Sequence, residues 1–90
     1  MSDPLRIIHG RFGRVVLVRL DHSMVVHAHR ECHIVFKIGG ADIQFGVGAK
    51  EYPVTAHSAL MINAWEPHYY HYRETEAKTV LLAFYLNPHW

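Results

Sequence analysis

The sequence has a single cysteine, no long apolar run and almost no net charge. Cys32 stands alone in 90 residues, so no intramolecular disulfide can form and a reducing cytoplasm is the expected compartment. No stretch approaches the roughly 20 apolar residues needed to span a bilayer. The opening "MSDPLRIIHG" also lacks the basic-then-apolar pattern of a signal peptide. Nine Lys and Arg against eight acids give a charge of +1, which leaves no basic footprint for nucleic acid and no polybasic membrane segment. Direct nucleic-acid contact and membrane attachment are therefore not expected of this chain. Helical periodicity is missing too: no segment longer than a turn or two repeats its apolar residues at helical spacing. Linkers, internal repeats and low-complexity tracts are absent, and 90 residues suffice for one core only.

What is present is apolar and β-forming. Half of the residues are hydrophobic, including two Trp, five Tyr and four Phe. Residues 14–20, "RVVLVRL", form a β-branched run that stops at the turn formers Asp21 and Ser23. "MVVHAH" (24–29) reads as a second strand, and "HIVFKI" (33–38) as a third with Ile34, Phe36 and Ile38 on one face. "ADIQFGV" follows Gly39-Gly40, so a hairpin is expected there. "GAKEYPVTAH" reads as a loop, "ALMIN" (59–63) and "HYYHYR" as strands, and "TVLLAFYL" (79–86) as the last one. This last strand is apolar on both faces and calls for cover on both sides. Short strands with a turn signal about every ten residues point to an all-β sandwich or small antiparallel barrel. The segment 1–13 is expected to be an N-terminal arm, with Leu5, Ile7, Ile8 and Phe12 packing on the 14–90 barrel or on a partner.

Histidine is the one excess, with nine residues. In "HAHRECHIVFKIGG" (27–40), His27 and His29 share a strand face, and His33 can reach the same volume from the next strand. Imidazoles converging from adjacent strands suit zinc, nickel, iron, manganese or copper. A fourth donor is expected from "EPHYYHY", where His68 and His71 face opposite ways and His68 follows Pro67. The competing reading is a polar pocket lining without metal. Phe36, Trp65, Tyr70 and Tyr72 are the candidate pocket aromatics, each open to a plain core role. His9, His22, His57, His71 and His89 read as surface or loop residues. Glu31 reads as a turn residue, and Cys32 as a small buried hydrophobe rather than a nucleophile.

"HxHxxxH" followed by Gly40 resembles the first cupin motif. "SALMINAWEPHYY" and "LLAFYLNPHW" resemble the second motif and last strand of N-terminal effector-binding domains in AraC-type transcription regulators. The resemblance covers roughly residues 14–90. It implies a jelly-roll barrel of about seven to eight short strands, with metal positions at His27, His29, His33 and His68. It further implies a small-molecule effector, a homodimer and a sensing role rather than catalysis. The sequence departs from the pattern in three places. Asp21 replaces a glycine, "AHS" (56–58) replaces "P-G-D", and His33 stands where a glutamate is usual. In those regulators the last strand runs on to a linker and a helix-turn-helix pair, so the chain is expected to be either an excised domain or a free-standing member. The alternative is a free-standing metal-dependent cupin enzyme of dioxygenase or isomerase type.

Overall fold

The computed structural model describes residues 3–21, 24–71 and 77–89. His22 and Tyr72 lie outside the described residues. The described residues form nine strands: β1 Asp3–Gly10, β2 Gly13–Arg19, β3 Met24–His27, β4 Cys32–Gly39, β5 Ile43–Val47, β6 Lys50–Val54, β7 Ala59–Ile62, β8 His68–Tyr70 and β9 Val80–Leu86. They form two antiparallel sheets, one of five strands in the order β1-β2-β9-β4-β7 and one of four in the order β3-β8-β5-β6. The all-β architecture expected from the strand pattern is the one observed.

Alternation sets the core. Val35, Ile62, Leu81 and Ala83 come from the five-stranded sheet, and Ile43, Phe45, Val54 and Tyr70 from the other. All are buried, and they meet in one cluster that also takes in Leu20 and Val47. At about 25 cal/mol per Å² of apolar surface, this shared core is the main stabilising term of a chain this small. On the outer face of the four-stranded sheet, Gly46 makes room for Tyr69: a side chain there would begin 2.1 Å from the Tyr69 ring, which reaches over it from the paired position on β8.

Three expectations need correction. The strands flanking Gly39-Gly40 do not pair as a hairpin: β4 bonds to β7 and β9, whereas β5 bonds to β6 and β8. The glycines instead turn a corner between the two sheets. Gly40 has φ +78° and packs so closely on the Lys78 backbone that a Cβ would lie 1.9 Å from its carbonyl oxygen. Thr79 Oγ1 donating to the Ala41 carbonyl at 2.6 Å pins the same corner. The expected loop at 48–57 contains β6, an edge strand, where Pro53 breaks no ladder because only one side is paired. The expected arm contains β1, which pairs with β2 at the sheet edge. Leu5, Ile7 and Ile8 stay largely exposed there.

Candidate metal centre

β3 and β8 lie side by side, and their register sets His27 directly opposite His68. Their ring centroids are 4.2 Å apart. β3 ends at His27, so His29 sits in the connection to β4 rather than in a strand. It still reaches the group, with its ring 4.9 Å from His68 and 5.6 Å from His27. One ligand nitrogen from each of His27, His29 and His68 can be chosen so that all three lie within 4.8 Å of one another. His33 enters from β4, on the face that Val35 uses for the core. Its ring lies 4.7 Å from His68 and 4.8 Å from His29. The structure thus gathers all four sequence-predicted histidines, three at ligating separation and His33 against them. His9, His57, His71 and His89 are exposed and apart from the group.

The hydrogen bonds fix which nitrogen faces the cluster. His29 Nδ1 is 3.1 Å from the Glu31 carbonyl oxygen, and His68 Nδ1 is 2.8 Å from that of Glu66. A carbonyl can only accept, so both Nδ1 atoms carry the proton and both Nε2 atoms keep a bare lone pair. Those Nε2 atoms are buried without a hydrogen-bond partner, as are both ring nitrogens of His33. Leaving a buried acceptor unpaired costs about 1–3 kcal/mol each. Backbone carbonyls holding Nδ1–H are also the usual outer support of a metal-ligating histidine. The donor set therefore fits a divalent transition metal: His29 and His68 would ligate through Nε2, with His27 completing three.

Burial keeps three of the rings, those of His29, His33 and His68, neutral. Burial, reinforced by His68, His29, His27 and Arg14, pushes His33 down to about 3 from the ordinary 6.5. Burial also lowers His29 against the opposing pull of Glu31, and lowers His68 against its bond to Glu66. Neutral imidazole is the form that binds a metal.

Arg14 and Tyr85 were missed in the sequence, and Glu31 was read as a plain turn residue. Arg14 pairs with Glu31 at 2.7 Å, and its guanidinium lies 4.2 Å from the Tyr85 ring centroid. Tyr85 in turn stacks on His33 at 4.8 Å. A cavity of about 170 Å³ opens beside the pair, lined by His9, Arg14, Arg30, Glu31 and Asn87 among others. Tyr85 shares the inward parity of Leu81 and Ala83. That signal was hidden because β9 is apolar on both faces.

The candidate pocket aromatics are dispersed. Tyr70 belongs to the core, 5.3 Å from Phe45. Phe36 lies on the face of β4 opposite His33, 39% exposed and edge-on to Phe84. Trp65 adjoins the histidines through its backbone: its N–H donates to the His29 carbonyl at 2.7 Å. Its φ is 61°, in the left-handed region that aromatic residues rarely enter, and its side chain is 66% exposed. Asn63 N–H donates to Glu66 Oε1 at 3.2 Å within the same loop.

Comparison with solved structures places the fold in a known architecture. Protein NMB1881 from Neisseria meningitidis superposes with a TM-score of 0.75 at 17% identity, over 94% of this chain and 84% of that one. KdgF from Halomonas sp. gives 0.72 at 16% identity, over 91% and 76%. FeII HppE gives 0.65 at 16% identity, over 81% of this chain and 42% of that one. The fold is cupin-like. No protein-family model matches the chain, and comparison with curated proteins found no match.

Two outcomes are expected. His33 is lowered, so the folded state binds fewer protons than the unfolded chain below pH 6.5. Stability is therefore full above pH 6.5 and is lost as pH falls toward 3. Denaturant unfolding of the chelator-treated protein across that range should show this loss. His33→Leu should make the slope shallower, and an unchanged slope would contradict the assignment. At position 65 the usual order of substitutions should reverse, with Trp65→Gly more stable than Trp65→Ala by about 1 kcal/mol because only glycine accepts the positive φ without strain. Equal stabilities would show that the backbone there is ordinary.

Proposed function

We propose that this chain is a metal-dependent small-molecule-binding cupin domain that senses a ligand rather than transforming one. His27, His29 and His68 hold a divalent transition metal, with His33 as the fourth histidine of the set. The observation that carries this reading is the pair of buried Nε2 lone pairs on His29 and His68, each fixed by an Nδ1 bond to a carbonyl. A nitrogen-only set without a carboxylate favours zinc, nickel or copper over harder ions. A bound ion would offer open coordination positions to an oxygen- or nitrogen-bearing small molecule.

Sensing is favoured over catalysis by what the nearby acids do. Glu31 is held by Arg14 through Oε2 and faces His29 Nδ1 at 3.6 Å through Oε1, and Glu66 accepts the Asn63 N–H. Both carboxylates are engaged as supports of the site rather than standing free beside it. Burial raises the Tyr85 phenol against the pull of Arg14, so it is a poor base near neutral pH. The likeness of "EPH" (66–68) and "FYLNPHW" (84–90) to AraC-type effector domains supports the same direction, with the ligand read out by an attached DNA-binding module. The competing reading is a metal-dependent enzyme. It draws on HppE, whose name carries FeII.

Thermal unfolding with added metal tests the site. Stoichiometric zinc or nickel should raise the melting temperature, and chelator should reverse the rise. A metal present at 100 times its Kd adds about 2.7 kcal/mol. His27→Ala, at a half-buried position, should abolish the metal-dependent rise while the metal-free protein still melts cooperatively. A wild-type melting temperature indifferent to every first-row divalent metal would leave the histidines as a pocket lining only.

A further inference from the structure

The last strand reads as apolar on both faces, yet the fold covers only one of them. Leu81 and Ala83 of β9 are buried in the core. Leu82 and Phe84 alternate with them and face outward. β9 is the middle strand of five, and the apolar surface it presents continues sideways across the sheet. Cross-strand register aligns Ile8, Val15, Phe84, Ile34 and Met61 into one row that spans all five strands. The adjacent row runs Leu17, Leu82, Phe36 and Ala59, and Arg6 closes it at the β1 end. Ile8, Phe36 and Met61 are 50%, 39% and 61% exposed. Among the described residues no element lies over these rows.

We propose that this face binds a second copy of the chain, sheet on sheet, about a two-fold axis running along β9. Three arguments select that occupant. The first is size. Four strands of seven or eight residues and the four-residue β7, about 4.8 Å apart, give a footprint of roughly 24 by 23 Å that narrows at the β7 edge. The corrugated side chains bury more than the footprint, on the scale of the roughly 800 Å² that each partner of a stable dimer contributes. The second is composition: both rows are apolar apart from one arginine, and monomers rarely expose a contiguous patch of this size. The third is charge. An axis along β9 lays β1 over the partner's β7, so Arg6 meets an end of the row that carries only Ala59. An axis across the strands would lay β1 over the partner's β1 and bring both Arg6 guanidinium groups to the same edge of the interface. Aligned packing of two twisted sheets suits the first arrangement, and a closed two-fold pair is the commonest oligomer.

The geometry makes a pairwise statement. Ile8 and Met61 stand at opposite ends of one row, so each should face the other across the dimer. Sedimentation equilibrium of the wild-type chain should give twice the 10.4 kDa mass. Ile8→Lys alone and Met61→Glu alone should each weaken association by roughly a hundredfold, since each places an unpaired charge in the interface. The double variant should recover the dimer, because Lys and Glu then face each other twice. Val26→Glu, at a 63% exposed position on β3 in the other sheet, should leave the dimer intact. If a charged variant does not melt cooperatively, Ile8→Ser and Met61→Ser replace it, with the same direction of effect. A monomeric wild type overturns the proposal. So do single variants that remain dimeric, singles that dissociate without rescue in the double, or dissociation caused by Val26→Glu. The histidine cluster plays no part in this test.

Discussion

Two short hydrogen bonds govern the centre of this molecule. His29 and His68 each give the Nδ1 proton to a backbone carbonyl two residues away, and each is thereby left with a bare Nε2. Both carbonyls belong to loops, those of Glu31 and Glu66, so the tautomer depends on loop geometry, with the Glu31 carboxylate 3.6 Å from His29 Nδ1 favouring the same proton position. In water such a lone pair would be hydrated. Here it is buried, and nothing among the described residues donates to it. The arrangement costs stability unless a cation or a donor completes it, which is the usual bargain at a functional site.

The rest of the fold serves to hold those rings together. β3 and β8 pair so that His27 and His68 oppose each other, and β4 brings His33 in from the other sheet. The loop before β8 is latched to the His29 segment through Trp65 N–H and carries the carbonyl that orients His68. The two loops therefore fix both tautomers. Outside this layer, Arg14, Glu31 and Tyr85 form a stacked and ion-paired support that reaches His33. The strain at Trp65 has no compensation in burial, which is consistent with a loop shaped by the site it borders.

Much of this was legible in the sequence because β-strands carry their geometry in parity. "HAH", His33 and "EPH" announced four histidines, and all four converge. Phe36 was a candidate pocket residue, yet it stands three positions from His33, so strand parity itself puts it on the opposite face, where the structure has it. Parity failed where both faces are apolar, and that ambiguity hid Tyr85 in "TVLLAFYL". Local turn chemistry misled at Gly39-Gly40, because a glycine pair suits a sheet-to-sheet corner as well as a hairpin. Only the contact with Lys78, far along the chain, decides between them. β1 and β6 were missed since Pro4, Pro53 and flanking charges argue against central strands, and both are edges. The hydrogen bonds that set the tautomers run to loop carbonyls and leave no trace in residue type.

The central claim is a tautomer with a waiting lone pair, and imidazole nitrogen NMR reads it directly. Long-range proton–nitrogen correlation on metal-free protein at neutral pH should show His29 and His68 protonated at Nδ1 with unprotonated Nε2. Added zinc should shift both Nε2 resonances as the ion binds. Rings protonated at Nε2, or Nε2 resonances that do not move with zinc, would contradict the account.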